Sequence, residues 1–182
     1  MYGVKFMKLD DLREDCAKKQ KKGLHIILAS IIIWIAVLCV HLTGLPILTK
    51  NFLTFCCTAP LLPISFIISK IIKVDFQNKD NPLTNLGVLF SVNQILYLLI
   101  AMWIYPTIPE KMLMVIAMIF GAHLMPYSWL YKSKSYLVFS IIIPIVALII
   151  GLEFEAYILA IVMICFEVLF SILLSLEVKK IA

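Results

Sequence analysis

Six apolar runs, each close to the length needed to cross a bilayer as a helix, restrict this chain more than any other feature. They are Leu24 to Thr43, Phe52 to Ile72, Leu86 to Tyr105, Met112 to Tyr131, Tyr136 to Leu152 and Ala156 to Leu176. A hydrocarbon core about 30 Å thick takes roughly 20 apolar residues of helix. The fifth run is the shortest of the six. All are continuously apolar rather than alternating, which argues against the strands of a membrane barrel. Backbone groups in lipid must bond within their own segment, as they do in a helix. With 63% hydrophobic residues and a mean hydropathy of +1.03, the chain has more apolar surface than a water-soluble fold of this size can hide. The expected fold is all-α: a polytopic membrane helix bundle of six transmembrane helices with a short N-terminal interfacial helix.

Charge orients the bundle, because cytoplasmic loops are enriched in lysine and arginine. Of the 16 basic residues, only Lys50 and Lys111 fall on one side of a six-span arrangement; the other fourteen share the opposite side with both termini. Both termini are therefore expected in the cytoplasm, with 44–51, 106–111 and 152–155 outside. The net charge of +5 is accounted for by this topology, and no nucleic-acid motif accompanies it.

Residues 1–23 read as a cytoplasmic, amphipathic and basic segment, 24–176 as the membrane domain and 177–182 as a cytoplasmic tail. The first segment is too long and too acidic for a signal peptide's n-region and lacks a small-residue cleavage site, so it is expected to be retained. In "LDDLREDCAKKQKKG", Asp11 and Glu14 have the spacing of a capping box, and Phe6, Leu9, Leu12 and Cys16 form an apolar stripe suited to the membrane surface. The 13-residue stretch "KVDFQNKDNPLTN" is the longest loop, with a turn at Asn81-Pro82 and an N-cap expected at Thr84 or Asn85.

Within the spans, Glu167 is the sharpest signal, since an isolated carboxylate in hydrocarbon costs several kcal/mol. It must be neutral, paired or hydrated. At a helical rise of 1.5 Å, Glu167, His123, Asn93 and Gln94 all lie roughly 12 Å below the cytoplasmic boundary. Small and polar residues share their helix faces: Ala156, Ala160, Met163 and Ser171 with Glu167, and Gly87, Ser91, Ala101 and Tyr105 with Gln94. His123 is one turn from Tyr127 and follows an Ala117/Gly121 step suited to close packing. Glu167, His123, Gln94, Asn93, Tyr127, Ser91 and Ser171 are accordingly the candidate pocket residues, with Glu167 expected to meet His123. Prolines at 60, 63, 126 and 144 interrupt three spans, freeing the carbonyls of Ala59, Ala122 and Ser140 to line a cavity.

Plainer readings stand beside these. Interhelical polar residues often serve as glue, each contributing on the order of 0.6 kcal/mol. Tyr127, Trp129 and Tyr131 also fit an interfacial aromatic belt, and His25 and His41 fit the two membrane boundaries. Cys16, Cys39, Cys56, Cys57 and Cys165 read as small apolar core residues, although Cys39 shares a leaflet with the Cys56-Cys57 pair and so stands within possible disulfide range by depth. No histidine pair or cysteine pair has metal-ligand spacing. The small six-helix accessory gene regulator peptidases place a nucleophilic cysteine seven residues after a histidine, but here His25, His41 and His123 are followed at that distance by Ile32, Leu48 and Leu130. No catalytic residue, cofactor or metal is expected.

The segments "LHIILASIIIW", "FIISKIIKVDF", "NPLTNLGVLFSVNQILYLLIAMW" and "MIFGAHLMPYSWLYKSKSY" resemble an uncharacterised family of small bacterial multipass membrane proteins common in Firmicutes. The resemblance implies a bacterial cell-membrane location and six spans, and it transfers no catalytic residue because the family carries no established activity. The polar layer points to binding or translocation of a small solute or proton through a cytoplasm-facing pocket, after dimerising. The competing class is a non-catalytic accessory or immunity-type subunit for a membrane partner, and an intramembrane enzyme ranks third. In a background lacking other cysteines, Lys134→Cys should react with a membrane-impermeant maleimide only after cells are lysed, and Gly44→Cys in intact cells. The reverse pattern would invert the topology.

Overall fold

The computed structural model describes residues 8–75 and 78–181, and among these it contains helices and turns but no strand. A short helix α1 (Leu9–Lys19) precedes α2 (Leu24–His41), α3 (Ile47–Thr58), α4 (Leu61–Ile71), α5 (Leu83–Thr107), α6 (Met112–His123), α7 (Met125–Leu130), α8 (Lys134–Glu153) and α9 (Ala156–Lys179). By length and composition they supply six helical spans: Lys21–His41, Ile47–Ile71, Leu83–Thr107, Pro109–Leu130, Lys134–Glu153 and Ala156–Lys179. The expected spans all appear. The fifth gains residues at both ends and is 20 residues long, its first turn capped by Ser133, whose hydroxyl accepts the Tyr136 N–H.

Of the three spans expected to be interrupted by proline, two are broken and one is not. The second divides into α3 and α4 around Ala59-Pro60, with Pro63 in the first turn of α4, where no amide donor is needed. The fourth divides at Leu124, and Pro126 sits in the first turn of α7. α8 carries Pro144 in a continuous helix. Of the three carbonyls expected to face a cavity, that of Ala122 does not fit: Ala122 is exposed, and its carbonyl is bonded at the C-terminal cap of α6.

α2, α6, α8 and α9 form the tight core, packing α6 on α8, α2 on α9 and α8 on α9. Small residues let these backbones approach. A Cβ added at Gly121 would lie 2.6 Å from both Ile143 Cγ2 and Pro144 Cδ of α8, and one at Gly151 would collide with Met114 of α6. Ala29, Ala117 and Ala160 are fully buried. The faces read as inward on the sixth and third spans are inward: Ala160, Met163, Glu167 and Ser171 are buried, Ala101 is buried against Met112 and Ile116, and Tyr105 packs on Phe55. Outside this core, α3 and α4 lean on α2 and α5 leans on α6, whereas α4 and α5 scarcely touch. Only 6% of the apolar window of α5 is buried, against 44% for the first span, so most of α5 is left for lipid.

The ends of the bundle are closed by polar contacts. At the face carrying the C-terminal end of α9, α1 docks on the protein. Cys16 and Ala17 are buried in the core cluster, Arg13 stacks 4.5 Å over the Trp129 ring and donates to the Trp129 carbonyl, and Asp15 accepts from Asn78 and Asn81. Of the expected apolar stripe, Leu9 is exposed and Phe6 lies outside the described residues. The helix starts at Leu9, so Asp11 sits in its first turn and is not the N-cap. Likewise neither Thr84 nor Asn85 is the N-cap of α5: that position is Pro82, and Asn81 before it accepts the Leu83 N–H. Partial burial works against ionisation of Asp15, but the Asn78 and Asn81 amides and the Lys19 ammonium outweigh it and hold the carboxyl below its ordinary range. Burial pushes the Cys16 thiol up to about 11.

The turn from α1 into α2 runs through Lys21, Lys22 and Gly23 at φ 45°, 51° and 72°. Such angles are strained for the two lysines and hold only where surrounding contacts over-determine them. Lys22 Nζ pairs with Glu177 at 2.8 Å, Glu177 also accepts from the Ser135 amide and hydroxyl, and Tyr136 donates to the Lys22 carbonyl. At the opposite face the two basic residues close helix ends: Lys50 donates to the His41 carbonyl and Lys111 to those of Gly151 and Leu152. Cys39, Cys56 and Cys165 are exposed on the bundle surface, so only Cys16 is a buried core residue as expected of the set, and all five thiols are free.

Gly121→Ala should lower stability by about 1–3 kcal/mol, because the methyl meets a β-branched side chain and a proline ring that have no room to rotate away. Gly44→Ala, whose methyl meets nothing within 4 Å, should leave stability unchanged. Thermal unfolding in detergent micelles measures both, and equal effects would contradict the α6–α8 packing.

Candidate functional site

The incomplete packing of α4 against α5 leaves a cavity of about 340 Å³ bounded by α2, α3, α4, α5 and α6. Ile27, Ile33, Trp34 and Val37 of α2, Leu113, Ile116 and Phe120 of α6, and Ile95 and Leu98 of α5 make most of its wall apolar. Tyr127, Tyr131 and Tyr136 roof it toward the termini, their ring centroids 5.8–5.9 Å apart. All three are buried, which corrects the reading of Tyr127 and Tyr131 as a belt at the lipid interface; only Trp129 has the exposure of one.

The roof is held by hydrogen bonds to α5 and to the turn between α1 and α2. Tyr127 donates to the Gly87 carbonyl at 2.9 Å and lies 2.7 Å from the Ser91 hydroxyl, tying α7 to α5. Tyr131 donates to Gln20 Oε1 at 2.8 Å, and Gln20 donates onward to Thr84. Tyr136 bonds the turn at Lys22. Buried tyrosines need such partners because their rings belong in the core and their hydroxyls do not.

Four of the seven residues singled out from the sequence line this cavity: Ser91, Gln94, His123 and Tyr127. His123 comes from the last turn of α6, where Pro126 has ended the helix. Its Nδ1 lies 2.6 Å from the Phe120 carbonyl and therefore carries the proton, which leaves Nε2 as an acceptor on a neutral ring. Its ring packs edge-on against Tyr127.

Glu167 sits behind the wall. It is fully buried on α9 and bonded to Ser30 of α2, and Ser30 itself lines the cavity. Among the described residues no hydrogen bond joins Glu167 to His123: the first takes Ser30 and the second Phe120. Ser30 has one proton but two oxygens within reach, since the Ile27 carbonyl is 2.7 Å away. A carboxyl bearing its own proton satisfies the set, donating to Ser30 while Ser30 donates to Ile27. The other carboxyl oxygen, Oε1, is buried without a protein partner.

The two remaining candidates lie elsewhere. Asn93 is on the exposed face of α5 and bonds Tyr97 at 2.9 Å, one residue of rotation away from Gln94's inward side. Ser171 is buried but returns its hydroxyl to the Val168 carbonyl of its own helix. Sequence reasoning passed over Ser30, Tyr131 and Tyr136. Ser30 carried the signal that found Glu167, being the one hydroxyl in the middle of the first apolar run. Among the described residues no group of three His, Cys, Asp or Glu side chains stands close enough to hold a metal ion.

A residual cavity costs on the order of 24 cal/mol per Å³. Left empty of lipid as well as of any other molecule, about 340 Å³ would cost on the order of 8 kcal/mol by that figure, comparable with the whole stability of a domain. Apolar walls also make water a poor filler. The arrangement is therefore chemically suited to holding an apolar body with a few hydrogen bonds at one end, and its volume lies in the range of small-molecule sites.

A family model described as "Family of unknown function (DUF7010)" matches residues 9–177, from the start of α1 almost to the end of α9. No curated protein and no solved structure matches the chain.

Ser30→Ala removes the hydrogen-bonded partner of a buried carboxyl and should cost about 1–3 kcal/mol in unfolding experiments in micelles. Adding Glu167→Leu should recover most of that loss, because an apolar pair needs no partner. If the two losses simply add, Ser30 and Glu167 are not coupled as described.

Proposed function

The chain belongs to the DUF7010 family, whose function is unknown, and for it we propose the binding of a small molecule in the cavity between α2 and α6. The carrying observation is the cavity itself: a space of small-molecule size, roofed by hydrogen-bonded tyrosines, in a bundle whose other helices pack closely. Ser91, Gln94, His123 and Tyr127 are the polar contacts, and Ser30 links the wall to Glu167. Binding becomes translocation of the solute if the roof opens. Proton movement draws its support from the Glu167–Ser30 bond at the wall and rests on less.

The asymmetry of the lysines supports placing both termini, and hence the tyrosine roof, in the cytoplasm. The family resemblance supports a bacterial cell membrane. A second reading, an accessory subunit for another membrane protein or a homodimer, draws on the unburied face of α5, whose Val88, Leu99, Met102 and Trp103 are all at least half exposed.

Native mass spectrometry of protein extracted under mild conditions tests the binding reading. The native chain should carry one small-molecule adduct. Gln94→Trp, which fills the cavity from a half-buried position, should lose it while remaining folded. Absence of an adduct from both forms, or its retention by the filled variant, would reject the reading.

A further inference from the structure

The cavity is closed where a water-soluble molecule would enter and open where a lipid-soluble one would. Toward the termini, Tyr127, Tyr131 and Tyr136 are 7%, 4% and 3% exposed, and α1 is docked over that end. Toward the side, Ala59, Leu62 and Ile95 line the cavity and are at the same time exposed on the outer surface of the bundle, Leu62 and Ile95 at 60% each. These three residues stand at the break between α3 and α4, in the first turn of α4 and on α5, and α4 and α5 scarcely touch. The opening therefore lies within the spans and faces acyl chains.

The wall adds a second restriction. Among the described residues no Lys, Arg, Asp or Glu lines the cavity, so a charged group inside it would have no counter-ion, which hydrocarbon makes costly. The polar contacts on offer are neutral and of both kinds: the Nε2 acceptor of His123, the Gln94 amide and the Ser91 hydroxyl.

Resting on the small-molecule reading above, we propose that the ligand is a bilayer-dissolved molecule with an apolar body and an uncharged hydroxyl-type head, and that it enters laterally between the α3–α4 break and α5. The break at Ala59-Pro60 then has a purpose in the second span: it bends that helix off the bundle and holds the portal open. The head reaches Gln94 and His123, and the body lies against Trp34 and Phe120.

Trp34 allows a direct test, because it lines the cavity and is only 4% exposed, so bulk lipid does not reach it. Trp103→Phe with Trp129→Phe leaves it as the sole tryptophan, and the full chain is reconstituted into phosphatidylcholine vesicles. A brominated long-chain alcohol should quench Trp34 saturably. Leu62→Phe with Ile95→Phe, which crowds the portal without touching the core, should slow the approach to the plateau about tenfold, because obstructed entry acts on the association rate.

Equal rates with and without the crowded portal would overturn lateral entry. Saturable quenching by 2-bromoethanol in place of the long-chain alcohol would also overturn it while leaving the binding reading intact, since the cavity would then fill from water. Quenching by brominated phosphatidylcholine as strong as that by the alcohol would reduce the occupant to an ordinary lipid chain and overturn the proposal. No quenching by any of the three would remove the binding reading as well.

Discussion

In hydrocarbon no water is available to satisfy a polar group, so each donor and acceptor in the spans must find its partner within the protein. Most of this structure follows from that constraint. The serines inside the bundle, Ser65, Ser69, Ser140 and Ser171, return their hydroxyls to carbonyls of their own helices. Lys50 and Lys111 supply donors to helix C-termini at one face, and the Lys22–Glu177–Ser135 group ties first and last spans at the other. Where an interior polar group lacks a local partner it reaches across to another helix, as Ser30 does to Glu167 and Tyr127 to α5.

The same constraint explains why the bundle is uneven. α2, α6, α8 and α9 carry the glycines and alanines that permit close approach, and they pack without leaving room for a ligand. Between α5 and the broken second span the packing fails over a limited volume. Aromatic residues close that volume at one end only. The polar candidates collect there because that is where the proline break in the fourth span turns His123 and Tyr127 toward α5.

Much of this was legible from residue types and depth. The six spans could be drawn to within a few residues because each is a continuous apolar run, and the inward faces of the third and sixth spans were found because small and polar residues recur there at helical spacing. Gln94, Ser91, His123 and Tyr127 line one cavity: depth had joined Gln94 to His123, and helical spacing had added Ser91 and Tyr127. Glu167 and His123 were placed at one depth as well, yet depth is a single coordinate. α9 packs on α2 and not on the face of α6 that bears His123, so each found a different partner. Asn93 failed for a related reason: adjacent to Gln94 in sequence and equal in depth, it is turned by about 100° around a helix of 3.6 residues per turn.

Composition and periodicity by themselves determined that this chain is an all-helical membrane bundle, since apolar length and backbone satisfaction in lipid depend only on local sequence. They also determined which face of the third and sixth spans is suited to the interior. Which helices pair, and hence which polar residues meet, was decided only by the tertiary structure, because the azimuth of one helix relative to another depends on interlocking side chains from distant parts of the chain. The docking of α1 through Asn78 and Asn81, the tyrosine roof and the gap between α4 and α5 all arise at that level.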